Sequence, residues 1–386
     1  MILSKKECLI KKIALISNTG WSLFNFRKNL IEALVEKGND VIAISPSDEY
    51  TSQLPVRHIP LDISRKGINP LGELKLVKQL KEIYLQEKVD VVLHFTTKPN
   101  VWGTIAASLI GKKKRPLVIN NIAGLGIVFA KKGPVRLILE NLYRFSQSRA
   151  NKVFFQNPDD YGLFTTKGLV PKDKTAILPG SGVDLKRFPH VPLEKRKGSE
   201  LSFIMSARLL KEKGVVQYVE AARSLKKEFP QLSFLLLGKV DPGNKTSVSQ
   251  AELDSWVKEG IIEWISWSDN VSELLRRADC VVLPSFYREG TPRSLLEGMA
   301  LGRPIITTDS PGCRETVDHG INGYMVEPRS TEALKKALRD FINLSEEERD
   351  SMAFASRKKA EEKYDENIVI NCYISTILEL EVNRNG

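Results

Sequence analysis

The sequence predicts an α/β protein with two doubly wound, Rossmann-like domains. Its 386 residues correspond to about two domains at roughly 100–200 residues per domain. Short apolar runs alternate with helical patterns along nearly the whole chain, which is typical of parallel sheets covered by helices on both faces. The stretch 185–201 interrupts this alternation with Pro189, Pro192 and a run of charges, and we interpret it as the linker.

The strand-like runs are rich in Val, Ile, Leu or Phe and form two series. The first series comprises 12–17, 40–45, 89–95, 116–120 and 152–156. The second series comprises 202–207, 233–238, 261–266, 280–284 and 304–308. Helical patterns lie between them, for example at 25–37 and 71–87, and a last helix is expected at about 366–382.

These series define the expected domains. We expect an N-terminal domain over 1–184, a linker over 185–201 and a C-terminal domain over 202–365. Ligands of open α/β sheets bind outside the carboxyl ends of the strands, so a ligand shared by two sheets would lie in a cleft between them. The loops that follow the strands are therefore the places to search for functional residues.

The composition excludes several protein classes. With 42% apolar and 27% charged residues, the chain is not collagen-like, disordered or a disulfide mini-protein. No apolar run approaches the ~18 residues that span a bilayer, and the first eight residues are too polar for a signal peptide. Four cysteines without paired spacing predict reduced thiols in a cytosolic protein. Four histidines without close pairing argue against a structural zinc site.

Basic residues are concentrated in the first half of the chain. Residues 1–180 hold 28 Lys and Arg against 15 Asp and Glu, and 101–150 alone hold nine against one. This surface fits an anionic membrane, a nucleic acid, a phosphorylated substrate or simply solvent. The candidate membrane patch comprises Lys112, Lys113, Lys114, Arg115, Lys131, Lys132 and Arg136. The helix expected at 134–149 fits a membrane surface, but a core-facing helix is the commoner origin of its pattern.

A first candidate site follows the strand at 280–284. Pro292 suits the first position of a helix, so the helix would open just beyond Glu289, and its free N–H groups would favour a phosphate or sugar oxygen. Gly290 permits close approach of a ligand to the backbone. Glu297 would lie about a turn and a half into the helix, where it could bind a ribose diol or merely pair with Arg293.

A second candidate site follows the strand at 202–207. Arg208 and Lys213 flank a short loop that ends at Gly214, before a helical pattern. Two cations near a helix N-terminus suit a diphosphate, because Arg offers a fork of donors and Lys a point charge. An exposed basic loop is the alternative, and the position at the edge of the second sheet favours the phosphate.

Loops of the first domain offer weaker candidates. The loop after the first strand holds Gly20 as its single glycine, where a dinucleotide fingerprint needs three, so an NAD site is not expected. Gly124 and Gly126 could let a ligand approach or serve a plain turn. The loop 94–100 holds His94, but a lone histidine is more often packed than catalytic.

The motifs of the second half resemble those of retaining glycosyltransferases of family 4, which share the GT-B fold. The matching stretches are 180–188, 206–214, 284–297 and 302–323. The resemblance covers nearly the whole chain. It implies two Rossmann-like domains that face a central cleft, with the last helix, 366–386, joining the first domain.

The resemblance also implies a donor site for a UDP-sugar. Arg208 and Lys213 would hold the diphosphate, Glu297 the ribose, and Glu289 the donor sugar beside the backbone of Gly290 and Thr291. The uracil would rest near Trp264 and Ser266, and Gly20 is placed with the donor-binding residues. Neither a cofactor nor a metal ion is implied, because Arg and Lys replace Mg²⁺ at the diphosphate; the sequence shows no evident Asp-x-Asp motif.

The first half resembles the bacterial subgroup that builds lipid-linked surface glycans. The implied acceptor is a saccharide on undecaprenyl diphosphate, and the implied donated sugar is N-acetylgalactosamine or a related hexose. Such an enzyme would work in the cytoplasm at the inner, anionic face of the membrane. The acceptor-side candidates are Arg27, His94, Thr97, Lys98, Asn100, Gly124 and Gly126. Many family members have a histidine at the position of Thr97, so no single catalytic side chain is assigned in this domain.

Two other functions fit parts of the sequence. A UDP-sugar 2-epimerase on the same two-domain fold would need no acceptor, although Arg208 and Lys213 favour the transferase. A nucleic-acid-binding protein would suit the basic first half, but that region has few interleaved aromatic residues and no recognised reader motif.

Overall fold

The protein consists of two compact units, seen in a computed structural model that describes residues 10–63, 69–126, 129 and 133–385. The first unit comprises Met1–Ala123, Lys131–Leu178 and Val369–Gly386. The second unit comprises Gly124–Ala130 and Pro179–Ile368. Each unit is built on its own sheet, as the two series of apolar runs predict.

Among the described residues, the first unit holds a seven-stranded parallel sheet with the order β3-β2-β1-β4-β5-β6-β7. The strands are β1 (Lys12–Ile16), β2 (Asp40–Ser45), β3 (Arg57–Pro60), β4 (Val91–Phe95), β5 (Leu117–Ile122), β6 (Lys152–Phe155) and β7 (Thr175–Ile177). The central strands are buried on both faces, which explains their unbroken apolar sequences. The chain reverses its direction of winding between β1 and β4, and this makes the carboxyl ends of those two strands a switch point.

Helices of the first unit connect these strands. They are α1 (Gly20–Glu36), α2 (Pro70–Gln86), α3 (Thr104–Ser108), α4 (Pro134–Gln147) and α5 (Pro158–Thr166). A π-helical turn, Pro99–Gly103, precedes α3. Side-chain caps explain where α1 and α5 begin, because Thr19 accepts from the N–H of Ser22 and Asn157 from that of Asp160.

The second unit holds a six-stranded parallel sheet within the described part of the chain, with the order β10-β9-β8-β11-β12-β13. The strands are β8 (Ser202–Ser206), β9 (Ser233–Leu237), β10 (Glu263–Ile265), β11 (Cys280–Leu283), β12 (Ile305–Thr308) and β13 (Gly323–Val326). The switch point of this sheet lies between β8 and β11.

Helices of the second unit cover both faces of its sheet. They are α6 (Val215–Glu228), α7 (Gln250–Lys258), α8 (Val271–Arg276), α9 (Arg293–Ala300), α10 (Thr331–Ile342) and α11 (Glu346–Tyr364). Capping boxes at Ser249 and Ser345 fix the starts of α7 and α11. Short 3₁₀ turns occur at Thr51–Gln53, Lys112–Lys114, Lys172–Lys174, Gly198–Glu200, Lys211–Lys213 and Arg314–Thr316.

The last helix, α12 (Glu366–Asn385), begins in the second unit and contributes its remaining turns to the core of the first. Val369, Tyr373 and Ile377 pack there with buried residues of β1 and α1. The Asn121 side chain donates to the Tyr373 hydroxyl at 2.7 Å, which ties the helix to β5. No helix in the described ranges is long and apolar enough to cross a membrane.

The fold class predicted from the sequence is confirmed, with three differences in detail. The helix expected at 25–37 begins at Gly20, because Thr19 caps it. The strands β3, β7 and β13 have no counterpart among the predicted runs. Gly124 and Gly126, which were expected in the N-terminal domain, are part of the second unit.

Candidate active site

The switch point of the second sheet brings two loops together. One loop follows β8 and ends at Gly214, and the other follows β11 from Pro284 onward. Gly214 has a φ of +83°, and a Cβ there would lie 2.2 Å from the Pro284 carbonyl oxygen, so only glycine fits. The N–H of Phe286 donates to the carbonyl of Glu212 at 2.9 Å, which fastens the loops to each other.

This contact creates an ion pair between the two loops. The Lys213 ammonium lies 2.5 Å from Glu289 Oε1, and the side chains are only 12% and 10% exposed. The Ser285 hydroxyl donates to the same oxygen at 2.8 Å. Lys213 Nζ also lies 5.1 Å from the centre of the Tyr287 ring, within range of a cation–π interaction. The lysine and the glutamate are therefore held at a defined position before any ligand binds.

Arg208 adds a second cation at this place. Its side chain is exposed, and no ion pair joins it to another of the described residues. The exposed guanidinium can thus pair with an anion from solution, whereas Lys213 is already compensated by Glu289. Together Arg208 and Lys213 give the loop after β8 the positive charge that the binding of a diphosphate requires.

Close backbone packing shapes the loop around Gly290. A Cβ on Gly312 would lie 1.9 Å from the Gly290 carbonyl oxygen, and a Cβ on Gly180 would lie 2.7 Å from the side-chain Cβ of Thr291. Helix α9 begins at Arg293 with Pro292 as its N-cap residue, so the prediction that Pro292 occupies the first helical position is wrong by one residue. Its extended ψ of 121° excludes it from the helix.

Glu297 lies on the second turn of α9 and pairs with Arg293. The Arg293 Nε lies 3.3 Å from Glu297 Oε1, which is the i, i+4 pair that the sequence allowed as the alternative. The same guanidinium donates to the carbonyl of Gly182. Burial raises the pKa of Glu297, and the charges of Arg293 and Arg187 oppose that shift. The carboxylate is thus oriented by a partner, and this orientation is compatible with further hydrogen bonds from a diol.

A cavity of about 640 Å³ lies beside the loop after β8. Its lining comprises Lys239, Val240, Pro242, Asn244, Ser247, Val248, Ser249, Gln250, Trp264 and Ser266. The Trp264 indole N–H donates to the Gly238 carbonyl at 2.9 Å, which holds the ring in the wall, and Ser266 is exposed. The structure therefore brings the two predicted base-contacting residues to one cavity.

Backbone contacts connect this cavity to the cationic loop. The N–H of Val248 donates to the carbonyl of Leu209 at 2.8 Å. The Thr246 hydroxyl donates to Glu212 Oε1 at 2.7 Å. The segment that carries Arg208 and Lys213 is thus hydrogen-bonded both to the wall of the cavity and to the Glu289 loop. A ligand with a planar base, a diphosphate and a sugar can extend along this segment from the cavity to the Glu289 loop.

Gly124 and Gly126 lie against the Glu289 loop. The N–H of Gly126 donates to the carbonyl of Arg288 at 3.2 Å. A Cβ on Gly124 would lie 2.4 Å from the Gly290 nitrogen, and both glycines have positive φ angles. The sequence placed them in the N-terminal domain, whereas they belong to the second unit and support its loop; their acceptor-side role stays a prediction. The sequence contained no indication of a contact across some 165 positions.

His94 is fully buried in the first unit. Its Nε2 lies 2.9 Å from the Tyr84 hydroxyl and its Nδ1 lies 2.8 Å from Asn120 Oδ1. A Cβ on Gly103 would lie 2.5 Å from the ring. Burial lowers the pKa of His94 to about 4. The prediction of an acceptor-side histidine is therefore corrected: His94 is a neutral core residue with both ring nitrogens occupied.

Other acceptor-side candidates surround the loop after β4. Lys98 pairs with the buried Glu73 of α2. Thr97 is exposed and forms a hydrogen bond with Tyr143, whereas Asn100 is buried and donates to the carbonyl of Asn121 at 2.7 Å. The residue before Thr97, Thr96, has a φ of +85°, a conformation that is uncommon for a side chain with a branched Cβ.

Two residues near β1 complete the set of predictions. Arg27 is buried, with its guanidinium carbon 4.3 Å from the centre of the Phe95 ring. Gly20 starts α1, where a Cβ would lie 2.4 Å from Asp48 Oδ1. The same carboxylate accepts from the N–H of Trp21 at 2.9 Å and satisfies that helix end. The packing of Asp48 is thus a structural reason for glycine at position 20.

Only part of the candidate membrane patch is exposed among the described residues. Lys112, Lys113 and Lys114 form an exposed 3₁₀ turn. Arg115 instead donates to the carbonyls of Ile110 and Ser108, and Arg136 pairs with Glu140 at 2.8 Å. Lys131 and Lys132 lie outside the described residues.

Helix α4 differs from the core-facing helix that its pattern favoured. Val135, Leu137 and Ile138 are all more than half exposed, while Glu140 and Tyr143 are buried. The prediction is wrong for the first turns, because their apolar side chains lie on the outer side. The buried positions of α4 include polar groups, among them Gln147 in the last turn, whose Oε1 accepts from Asn120 at 2.6 Å.

Sequence reasoning missed Ser285 and Glu212. Ser285 lies two positions after the end of β11 and could have been found from that location, because its hydroxyl faces the site. Glu212 is recognisable only from the fold, since its contacts reach Phe286 and Thr246. Within the described residues, no three His, Cys, Asp or Glu side chains come together as a metal site would need.

Comparison with known proteins identifies the family. The model for glycosyl transferase 4-like proteins matches residues 12–157, and the model for glycosyl transferases group 1 matches residues 190–359. A relative from Campylobacter jejuni, N,N'-diacetylbacillosaminyl-diphospho-undecaprenol alpha-1,3-N-acetylgalactosaminyltransferase, is 29% identical and aligns over 94% of this chain and 97% of its own. The UDP-Gal:alpha-D-GlcNAc-diphosphoundecaprenol alpha-1,3-galactosyltransferase of Escherichia coli is 24% identical over 71% of both chains.

Solved structures show the same fold. A glycosyltransferase from Rickettsia africae superimposes with a TM-score of 0.76 at 18% identity, covering 98% of this chain and all of the other. HepE of Anabaena, solved in complex with UDP and glucose, gives a TM-score of 0.72 at 17% identity, covering 96% of this chain and 99% of the other. The two family models, which together match most of the chain, agree with the Campylobacter jejuni relative and with the two doubly wound sheets, and the chain belongs to the group 1 glycosyltransferases with the GT-B fold.

Proposed function

We propose that the protein transfers a hexose from a UDP-sugar to a saccharide that is carried on a polyprenyl diphosphate. One observation carries the donor half of the proposal: at the switch point of the second sheet, the exposed Arg208 and the Lys213–Glu289 pair belong to a segment that is hydrogen-bonded to the wall of a 640 Å³ cavity. The relatives named above carry the acceptor half, since both act on diphospho-undecaprenol substrates.

The donor extends along the loop after β8. Its uracil lies in the cavity near Trp264 and Ser266, and its diphosphate contacts Arg208 and Lys213. Its ribose approaches Glu297, which Arg293 orients at 3.3 Å. The sugar reaches Glu289, Gly290 and Thr291, where narrow backbone packing limits the conformations of the loop.

Transfer proceeds with retention at the anomeric carbon. The bond from this carbon to the diphosphate oxygen breaks, and a bond to the acceptor hydroxyl oxygen forms on the same face. The hydroxyl proton passes to the departing phosphate, so no protein base is required. Arg208 and Lys213 offset the charge that develops on the leaving UDP without a metal ion, which is catalysis by positioning and preorganised electrostatics.

The donated sugar is N-acetylgalactosamine or a related hexose, and the protein works at the inner, anionic face of the membrane. The first assignment rests on the Campylobacter jejuni relative. The second follows from the acceptor, because a polyprenyl chain stays in the bilayer. The comparisons do not favour the epimerase alternative, since the similar proteins named above are transferases.

Binding of UDP- and GDP-sugars, followed as a shift in melting temperature, tests the donor site. A ligand at 100 times its dissociation constant stabilises the folded state by about 2.7 kcal/mol. We expect one UDP-sugar to stabilise the wild type and to lose this effect in Arg208→Ala and Glu297→Ala. Lys211→Ala is the matched control, because Lys211 is exposed in the same loop but is not placed at the donor. Equal stabilisation of all four proteins would exclude the proposed donor site.

A further inference from the structure

Five large aliphatic side chains are exposed at the beginnings of two helices in the first unit. Single exposed apolar residues are ordinary, but a group of them marks an interaction surface. The exposed fractions are 78% for Leu71, 66% for Leu74, 56% for Val135, 62% for Leu137 and 56% for Ile138. We call these five residues the aliphatic tip.

The topology places both helix beginnings at one edge of the sheet. After α2 ends, the N–H of Asp90 donates to the carbonyl of Lys12 at the first residue of β1. After α4 ends, the N–H of Asn151 donates to the carbonyl of Val118 near the start of β5. Both helices thus finish at the amino edge of the parallel sheet. Their first turns lie at the carboxyl edge, where the candidate acceptor-side loop follows β4.

Side-chain contacts locate the tip beside that loop. Glu73, between Leu71 and Leu74, pairs with Lys98 of the loop. Further along the other helix, Tyr143 contacts Thr97 of the same loop. At 1.5 Å per residue, positions 135–138 of α4 lie about 7–12 Å beyond Tyr143 along the helix axis. Both helices also pack against Pro99–Gly103, so both lie beside the turn that follows this loop.

Charges around the tip fit an anionic partner. Lys75 and Lys78 are exposed on α2 next to Leu71 and Leu74, whereas the exposed lysines of the 112–114 turn come directly before β5 and so lie towards the amino edge of the sheet. The acidic residues of these first turns do not oppose this charge, because Glu73 and Glu140 are buried in ion pairs with basic residues. Aliphatic side chains next to lysines match a bilayer, with an apolar interior below anionic headgroups.

We propose that the aliphatic tip inserts into the acyl region of an anionic membrane beside the acceptor loop. The lipid layer receives the five side chains, and Lys75 and Lys78 contact the headgroups. This surface would place the loop after β4 at the depth where the diphosphate of a polyprenyl carrier lies. The proposal rests on the proposed function for this last step, since it takes the acceptor to be lipid-linked.

Flotation with lipid vesicles tests the tip directly. One variant carries Leu71→Ser and Leu74→Ser, and a second carries Val135→Ser, Leu137→Ser and Ile138→Ser. The control carries Ile321→Ser and Phe354→Ser, which remove equally exposed apolar groups from the second unit. We expect each tip variant to lose at least tenfold in partitioning onto phosphatidylglycerol-containing vesicles, with the control unchanged. All these residues are exposed, so we expect unchanged melting temperatures.

Salt separates insertion from charge attraction. Binding by headgroup contacts alone should vanish at high ionic strength, whereas insertion of the tip should leave a salt-resistant fraction that only the tip variants lack. Wild-type binding by the tip variants would overturn the proposal. So would a dimer that the wild type forms through these residues without binding vesicles.

Turnover measurements distinguish this proposal from the proposed function. With a water-soluble, short-prenyl acceptor, the tip variants should match the wild type, and they should lose activity only with acceptor in vesicles. A wild type that transfers no sugar to either acceptor would refute the proposed function and leave the vesicle result standing. Equal loss with both acceptors would show a damaged site and overturn the role of the tip.

Discussion

Removing the Lys213 ammonium should affect stability and catalysis in separable ways. In Lys213→Ala the Glu289 carboxylate keeps the Ser285 hydroxyl as a donor at 2.8 Å but loses its cation at 2.5 Å. Because both charged side chains are nearly buried, the carboxylate cannot recover full hydration. Removing one partner of a nearly buried ion pair typically costs about 3–5 kcal/mol.

The remaining serine contact places the expected loss at the lower end, about 3 kcal/mol. The second unit is mainly the 190-residue stretch Pro179–Ile368. In a domain of this size each kcal/mol lowers the melting temperature by about 2–4 °C, so the unit should melt about 6–12 °C lower. The rate of transfer should fall by about 10²–10³, as for the loss of one preorganised charge contact in other enzymes.

A double variant separates the two effects. Adding Glu289→Gln to Lys213→Ala also removes the negative charge of the carboxylate. The melting temperature should therefore return towards that of the wild type while the rate of transfer stays low. Calorimetry gives the melting temperatures, and product formation from a UDP-sugar gives the rates. If Lys213→Ala melts like the wild type, the ion pair contributes no stability and our account of the loop contact is wrong.

Three other predictions concern the two units. For His94, the imidazole binds a proton near the ordinary pKa of 6.5 in the unfolded chain but only near a pKa of 4 in the folded chain. The free energy of unfolding, measured by urea titration, should therefore fall by about 2 kcal/mol from pH 7 to pH 5. A urea midpoint that does not change with pH would contradict the burial of His94 as a neutral side chain. Gly124→Ala should displace the Gly290 backbone and lower the rate of transfer. Gly260→Ala is the control, because Gly260 also has a positive φ but has open space around it, so this variant should lose stability alone. Equal rates in the two variants would exclude a role for the contact between Gly124 and Gly290. Because burial raises the pKa of Glu297, donor affinity should weaken on acidification sooner than for an ordinary glutamate, and Glu297→Gln should flatten this profile in a titration of KM.

Most of the strands that were predicted from the sequence are largely buried, although β10, Glu263–Ile265, is not. Residues 280–283 are apolar without interruption because both faces of β11 are covered. By contrast β3, Arg57–Pro60, lies at the edge of its sheet and its residues are at most half-buried. Such a strand has no run of apolar residues by which it could be recognised in the sequence, and its pairing with β2 is visible only in the folded structure.

The candidate site was predictable where it depends on position after a strand. Arg208 and Glu289 follow β8 and β11, whose parallel pairing brings their carboxyl ends to one edge. The contact of Lys213 with Glu289 joins residues 76 positions apart and requires the fold. The same limit explains Gly124, whose turn conformation is visible in the sequence but whose neighbour, Gly290, is not.

His94 and α4 show a different limit. Burial of His94 depends on Tyr84 and Asn120, which surround it from α2 and β5. The outward side chains of α4 depend on a polar network inside the unit, so its hydrophobic period alone cannot show which side faces the core. In both cases the environment of a side chain depends on the residues that pack against it in the folded protein.

The path of the chain between the units restricts how this protein can be recombined. Gly124–Ala130 and the turns of α12 from Val369 each leave the sequence block of one unit to complete the other. A chimera that exchanges the second unit at one junction near position 178 would therefore bring a foreign α12 to the partner site of Asn121 and a foreign glycine segment to Arg288. Exchange of donor halves between relatives requires that Gly124–Ala130 moves together with Pro179–Ile368 while the turns of α12 from Val369 stay with the first unit. Sequence variation in the two crossing segments should follow the unit they pack in rather than the one they adjoin along the chain.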